Sequence, residues 1–347
     1  MKKTLIAMAV LGAASSFAMA ASNVTLYGRI DTGFGIEKAK GHSAVVSETS
    51  GKMTGNRWGI KGVEDLGNGY SVGFVLEQGF NSDNGTASEA DKQFRRESSL
   101  FVTGDFGKVG FGRFGGLSSD AGSYTILTGW QFGTSYGATA DLGKFAKVSS
   151  RMDNSVAYVA PAVGGVTVTA MYSNDSADKE DSDKKWSENS HYYGLGAKAA
   201  WGAFSGSAIF EVKDNKAVAD SEPSYAITVG GNQKFEAFTL SGLYQYAWQD
   251  DEYKQHVAAV SSAIPLAGGT AKLGVKGLMG EFDDAAHAEG EDKYRAWSVN
   301  AAYEYPLSKR TTVYGYAGYT DGDKLYKDTE KLEFNGYAIY AGLVHKF

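Results

Sequence analysis

Val24-Thr25-Leu26-Tyr27-Gly28-Arg29-Ile30-Asp31 alternates apolar and polar side chains. Val24, Leu26 and Ile30 fall on one side of an extended chain, and Thr25, Tyr27, Arg29 and Asp31 on the other. A period of two gives a strand with one greasy face and one wet face. The far end of the chain repeats the pattern. Tyr337, Ile339, Ala341, Leu343 and Phe347 share one parity, with Tyr340 and Lys346 on the opposite face. No long stretch between these ends keeps a helical period.

Sixteen such runs fill the chain, at 23–36, 55–64, 70–81, 93–104, 108–115, 151–160, 165–174, 190–200, 204–213, 223–234, 238–249, 253–264, 270–281, 293–305, 310–321 and 334–347. Short turns and longer loops alternate between them. Three of the four prolines, Pro161, Pro265 and Pro306, fall in the short turns, where a missing N–H costs nothing. The long connections are polar and acidic. An even number of strands, with short turns at one rim and long loops at the other, predicts an all-β, 16-stranded antiparallel transmembrane β-barrel. A strand of about 9–11 residues crosses the hydrocarbon at a tilt. A strand in lipid must pair every N–H and C=O, so the sheet must close. At this width the interior holds water, because side chains cannot fill it.

Composition agrees. The 347 residues include 45 Gly, 21 Tyr and 18 Phe but only 4 Pro and no Cys. Mean hydropathy is −0.29, as expected if half of every strand faces water. Hydrophobic residues make 43 %, enough to exclude a disordered chain. The absence of cysteine excludes disulfide scaffolds, cysteine nucleophiles and thiolate metal sites. A net charge of −6 argues against a nucleic-acid partner. Tyr314, Tyr316, Tyr319, Tyr337 and Tyr340 recur near strand ends, where the interfacial girdle of a barrel sits.

Residues 1–20 read as a secretory signal peptide. Lys2 and Lys3 precede an apolar run from Leu5 to Ala14, and Ala18-Met19-Ala20 offers the small residues of a cleavage site. The run is too short to span a bilayer. The mature chain, 21–347, loses two lysines and no acid, so its charge moves from −6 to −8.

Several motifs carry a resemblance to a known family. Val24-Thr25-Leu26-Tyr27-Gly28 with Asp31 and Gly33 opens the mature chain. The hairpin Arg57-Trp58-Gly59-Ile60-Lys61-Gly62-Val63-Glu64-Asp65-Leu66-Gly67-Asn68-Gly69 follows. Arg95-Arg96, Phe106-Gly107, Gly112-Arg113 and Arg151-Met152-Asp153-Asn154-Ser155-Val156-Ala157-Tyr158 come next in order, and the chain ends His345-Lys346-Phe347. Together these resemble the Gram-negative general porins, in their neisserial-type, beta-proteobacterial branch.

The resemblance implies a homotrimer in the outer membrane, passing ions and small hydrophilic solutes by passive diffusion. It implies that the third loop, 116–150, folds inward as the constriction. It also implies that Arg57, Arg95 and Arg151 form the basic wall of the narrow point. By alternation Arg29 and Lys61 share the wet faces of their strands. Asp120 and Asp141, within the loop, are candidates for an acidic wall opposite, with Asp153 just beyond it. Arginines stay charged and are weakly hydrated, which suits a narrow passage, so weak anion preference is expected. Phe347 looks like the signal read by the barrel-assembly machinery. Lipopolysaccharide and outer-membrane lipid are the expected surroundings, with acidic stretches 175–188 and 281–292 at the outer mouth.

Passive diffusion needs no catalytic group, cofactor or metal, and none is expected. Gly110-Phe111-Gly112-Arg113-Phe114-Gly115 matches a dinucleotide fingerprint, but no helix pattern follows it. The five histidines are scattered and form no H-E-x-x-H pair. A substrate-selective channel on the same barrel is the alternative, with Tyr124, Trp130 and Tyr136 as its aromatic track. An adhesin or enzyme barrel, or a soluble binding protein, fits the loop asymmetry and terminal Phe less well.

Overall fold

The computed structural model describes residues 24–119, 121–174, 185–216, 222–283, 292–322 and 335–347. The leader at 1–20, Asp120 and most of the acidic stretches 175–188 and 281–292 lie outside the described residues. The strands are β1 (Thr25–Ala39), β2 (Val45–Ser50), β3 (Arg57–Gly67), β4 (Tyr70–Gly79), β5 (Glu97–Gly104), β6 (Gly107–Gly115), β7 (Arg151–Val159) and β8 (Val166–Asn174). They continue as β9 (His191–Trp201), β10 (Phe204–Asp214), β11 (Ser224–Lys234), β12 (Thr239–Gln249), β13 (Tyr253–Leu266), β14 (Gly269–Phe282), β15 (Lys293–Pro306), β16 (Thr311–Gly322) and β17 (Gly336–Lys346).

All neighbours pair antiparallel, and β17 returns to β1, from Arg29↔Lys346 to Ala39↔Gly336. The sheet is therefore closed and exposes no edge. Among the described residues seventeen segments make sixteen wall strands, because β2 and β3 are two parts of one. β1 pairs with both, Thr32↔Ser50 and Arg29↔Arg57. Between them residues 51–56 leave the ladder, a break that the alternation at 55–64 does not announce. Asn56 and Thr54 stay tied to β1. The Asp31 N–H donates to Asn56 Oδ1 at 2.5 Å, and the Thr54 N–H donates to Asp31 Oδ2 at 2.7 Å.

The two faces differ as the period requires. Leu26, Phe34, Leu195, Val260, Val275 and Leu343 stand out on the outer surface. The opposite parity is buried and largely polar, with Asp31, Glu211, Thr228, Gln245, Gln255, Ser261 and Lys276 among it. An outer face of exposed apolar side chains has lipid as its solvent.

Three of the five tyrosines placed in an interfacial girdle do not belong there. Tyr314, Tyr316 and Tyr340 face inward and are 5 %, 3 % and 2 % exposed. Tyr319 and Tyr337, of the other parity, are 40 % and 37 % exposed. β16 and β17 carry tyrosine on both faces, so recurrence near strand ends does not say which face is wet. One connection at the long-loop rim is also short, residues 250–252 between β12 and β13, with Asp251 at φ 60°.

Candidate functional site

Between β6 and β7 the described residues 116–119 and 121–150 first lie against β5, β6 and β9, where Ser123 Oγ donates to Glu97 Oε1 at 2.5 Å, Tyr124 packs on Phe114 and the Leu117 N–H donates to the Tyr192 hydroxyl at 3.0 Å, and then run along the inner face of β10 to β17. Thr128 Oγ1 donates to the Gly230 carbonyl at 2.9 Å. The Gln131 side-chain amide donates to Ser241 Oγ at 2.6 Å, and its backbone N–H to Ser261 Oγ at 3.0 Å. Gly129, at φ +100°, lies against Gly230 and Gly242, and a Cβ there would run into the wall backbone. Lys276 Nζ donates to the Thr139 carbonyl at 2.6 Å, and Gln255 Nε2 to the Phe145 carbonyl at 3.1 Å. The Lys147 N–H donates to Gln245 Oε1 at 2.6 Å.

Aromatic packing holds the middle of this segment. The Tyr136 ring stacks on Tyr316 at 4.9 Å and meets Phe132 and Tyr314 edge-on. The Tyr136 hydroxyl donates to Glu304 Oε1 at 2.5 Å. Burial first, and the Glu304 carboxylate second, push this phenol far above its ordinary range, so it remains a donor. Residues 51–56 reach the same place. The Tyr136 N–H donates to the Lys52 carbonyl, Met53 packs on the cluster, and Lys52 pairs with Glu37.

The other half of the wall is basic. Arg57 lies within electrostatic reach of Arg29, Arg96 and Arg151, and Arg151 within reach of Arg95, Arg96 and Arg113. The Arg95-Arg96 backbone is the hub. Arg113 Nε donates to the Arg95 carbonyl at 2.7 Å, and Arg151 Nε to the Arg96 carbonyl at 2.9 Å. Carboxylates partly balance these cations from the same side. Glu77 takes Arg96 Nε at 2.7 Å and Arg57 at 3.6 Å. Asp153 takes Arg113 at 2.5 Å and Lys92 at 2.7 Å, and Glu89 takes Arg95 at 2.7 Å. Arg95 sits in the connection before β5 rather than on a strand. Burial pulls its guanidinium below its ordinary range and Glu89 opposes this. It keeps its charge nonetheless, because an arginine starts so high. A cavity of about 390 Å³ adjoins the cluster, lined by Lys92, Arg113, Arg151, Asp153, Lys213 and Asp214 among others.

The geometry thus brings Arg29, Arg57, Arg95 and Arg151 together. Arg29 Nη1 donates to Thr54 Oγ1 at 2.9 Å, which turns it toward the break in the second wall strand. Lys61 does not join them. It is exposed, four positions along β3 from Arg57, or about 13 Å at ~3.3 Å per residue. Its ammonium lies 5.1 Å from the Tyr27 ring centre. Asp141 accepts from the Gly143 N–H at 2.7 Å and closes a helical turn on the loop, with Lys276 as its electrostatic partner. Arg96 and Arg113, quoted above only as motif residues, are members of the cluster. Their signal was available in Arg95-Arg96 and Gly112-Arg113, but their convergence depends on which strands neighbour one another. At the seam Phe347 exchanges backbone hydrogen bonds with Gly28, at 3.1 and 3.2 Å, and its ring lies over that glycine.

Comparison with known proteins places this architecture. A sequence profile described as Gram-negative porin matches residues 7–325. Outer membrane porin protein 32 of Delftia acidovorans is 30 % identical, covering 99 % of this chain and 95 % of its own. Major outer membrane protein P.IB of Neisseria meningitidis serogroup B is 28 % identical over the full length of both. The solved structure of an anion-selective porin from Comamonas acidovorans superposes with a TM-score of 0.72 at 23 % identity, over 94 % of this chain and all of that one.

Proposed function

The chain belongs to the Gram-negative porin family, and from that premise we propose that its arginine wall makes the passage weakly anion-selective. The protein is an outer-membrane general diffusion porin, a channel rather than an enzyme. The observation that carries the selectivity is the excess of cations on one side of the lumen. Among the described residues six guanidiniums, of Arg29, Arg57, Arg95, Arg96, Arg113 and Arg151, gather where Glu77, Glu89 and Asp153 pair with them and Asp31 lies within electrostatic reach of Arg29. A passing anion there exchanges part of its water for guanidinium donors, and a cation meets a repulsive field. Residues 116–150 narrow the passage from the facing wall. Charges at the outer mouth are screened within about 8–10 Å, so the narrow point governs the sign of selectivity.

The reversal potential in a KCl gradient across a planar bilayer tests this. Replacing Arg57, Arg95 and Arg151 together by Ala is expected to lower the chloride-to-potassium permeability ratio by about threefold or more. An unchanged ratio in folded, conducting protein sinks the reading. The same recordings test the trimer we propose for this chain, which requires conductance steps that close in threes.

Phe347 is proposed as the assembly signal, supported by its place at the closing seam against Gly28. Deleting Phe347 should leave unfolded protein in the periplasm and little heat-modifiable protein in the outer membrane. Normal amounts of folded protein from the deletion would count against it.

A further inference from the structure

The outer face of β12 to β15 carries a feature that conduction does not use. Register places Tyr246, His256, Met279 and Arg295 in one row across these four strands. The next row toward the long-loop rim is Trp248, Lys254, Glu281 and Lys293. Lys254, His256, Arg295 and Lys293 are exposed, and all have the parity that points away from the lumen. Around them lies a cavity of about 530 Å³. Glu281 is the one carboxylate among its described lining residues, against three permanent cations.

Placing cations on the lipid side of a barrel is unfavourable in hydrocarbon and tolerable only near an interface. Here they gather in two adjacent rows, within a few residues of the strand ends. Below them the same parity turns apolar, with Val260, Val275, Trp297 and Val299 exposed. Beside them the rim is low, because the connection between β12 and β13 is only residues 250–252. The His256 ring is held by the Tyr244 hydroxyl at 2.7 Å and stacks on Tyr246 at 4.8 Å. Tyr246 stacks in turn on Trp248 at 5.1 Å, an aromatic margin of the kind found at head-group depth.

We propose that this patch is a binding site for the phosphate of an outer-leaflet glycolipid, the lipid A part of lipopolysaccharide. Lys254, Lys293 and Arg295 meet the phosphate, His256 and the adjoining aromatics border the sugar, and the acyl chains run down over Trp297 and Val299. Guanidinium and ammonium donors on phosphate form charge-assisted hydrogen bonds. The apolar track beneath them distinguishes a lipid from a free anion. The inference rests on the outer-membrane reading with the long loops outward, and not on the selectivity of the lumen.

The test is retention of bisphosphorylated lipid A by the purified, folded full-length protein in detergent, read by native mass spectrometry. The variant K254Q/K293Q/R295Q should retain it about tenfold less well. A matched variant at the short-turn rim, K234Q/K309Q/R310Q, should retain it like the parent. Dephosphorylated lipid A should bind weakly to all three proteins, and a large excess of inorganic phosphate should not displace lipid A. Equal retention by K254Q/K293Q/R295Q overturns the site. So does an equal loss in both triple variants, which would mean surface charge alone. Displacement by inorganic phosphate would make it a free-anion site instead. Single-channel recording on the same preparations separates these results from failure of the porin reading. Should the triple variant fail to fold, R295Q alone must lower retention by about threefold, or the site is wrong.

Discussion

The inner wall of this barrel has two unlike halves. From β10 to β17 it is dressed by residues 116–150, through hydrogen bonds to Gly230, Ser241, Ser261 and Glu304 and through stacked tyrosines. From β1 to β7 it carries guanidiniums held on the Arg95-Arg96 backbone and on Glu77 and Asp153. One half is built for packing and the other for charge. The difference teaches how a wide barrel is narrowed. Apolar and hydrogen-bonded contacts fill the packed side, where Lys276 is set against Asp141 and Lys272 pairs with Glu304, so that its charges stand in opposite-sign pairs. Both signs of charge sit on the basic half. The dipole across the lumen is therefore weaker than two opposed walls of opposite sign would make, and in the selectivity we propose the net excess of arginine sets the preference.

The largest expected effect comes from breaking the packed half. Tyr136→Ala removes a 1 % exposed ring, its hydrogen bond to Glu304 and its contacts with Phe132, Tyr314 and Tyr316. A buried aromatic truncated to Ala costs about 3–5 kcal/mol. The temperature at which the folded band disappears on an unheated gel should fall, and open-channel current should become noisy. A quiet channel of unchanged thermal stability would mean that the tyrosine cluster does not hold the loop. Tyr136→Phe separates ring from hydroxyl and should cost only about 1 kcal/mol, because Glu304 keeps its ion pair with Lys272 at 2.6 Å.

A smaller effect sharpens the charged half. Glu77 neutralises part of the cluster through Arg96 and Arg57. Glu77→Gln keeps the size and removes the charge. A unit charge at ~8 Å in water contributes about 0.5 kcal/mol, or roughly twofold in the permeability ratio. Anion preference should rise by that amount in the reversal potential. A shift toward potassium would mean that Glu77 acts by positioning arginines rather than by cancelling them.

Much of this division was legible in residues, and the illegible part has physical causes. Period two in 24–31 and 337–347 discloses the strands because one face meets lipid. The break at 51–56 is hidden, because Gly51-Lys52-Met53-Thr54-Gly55-Asn56 is polar and glycine-rich, like any loop. Its attachment to β1 runs through Asp31, which only register brings near. The inward tyrosines fail for a related reason. Tyr316 pairs with Tyr340 across β16 and β17, while Tyr319 pairs with Tyr337 on the outside. Both faces are aromatic, so composition cannot assign them, and only packing against Tyr136 does. Arginines 29, 57, 95 and 151 could be singled out by alternation and resemblance. Arg96 and Arg113 stand in quoted motifs, but their convergence depends on strand neighbours, Arg96 reaching Glu77 and Arg113 reaching the Arg95 carbonyl and Asp153. Lys61 shares a face with Arg57 but not a depth, and parity carries no information about depth.

The smallest expected effect is the most decisive for the comparison. Asp141 is a carboxylate on the packed half, the place where an acidic wall would have to stand. Its side chain is engaged with the Gly143 N–H, and its charge is set against Lys276. An aspartate that closes a turn and neutralises a buried lysine adds little to the potential of the open lumen. Asp141→Asn retains the turn-closing oxygen and removes the charge. The permeability ratio should therefore move by less than about 1.5-fold, well below the twofold expected at Glu77. Should Asp141→Asn change the ratio as much as Glu77→Gln does, the two halves are electrically opposed after all. The lumen would then work by a transverse field rather than by an excess of arginine on one side.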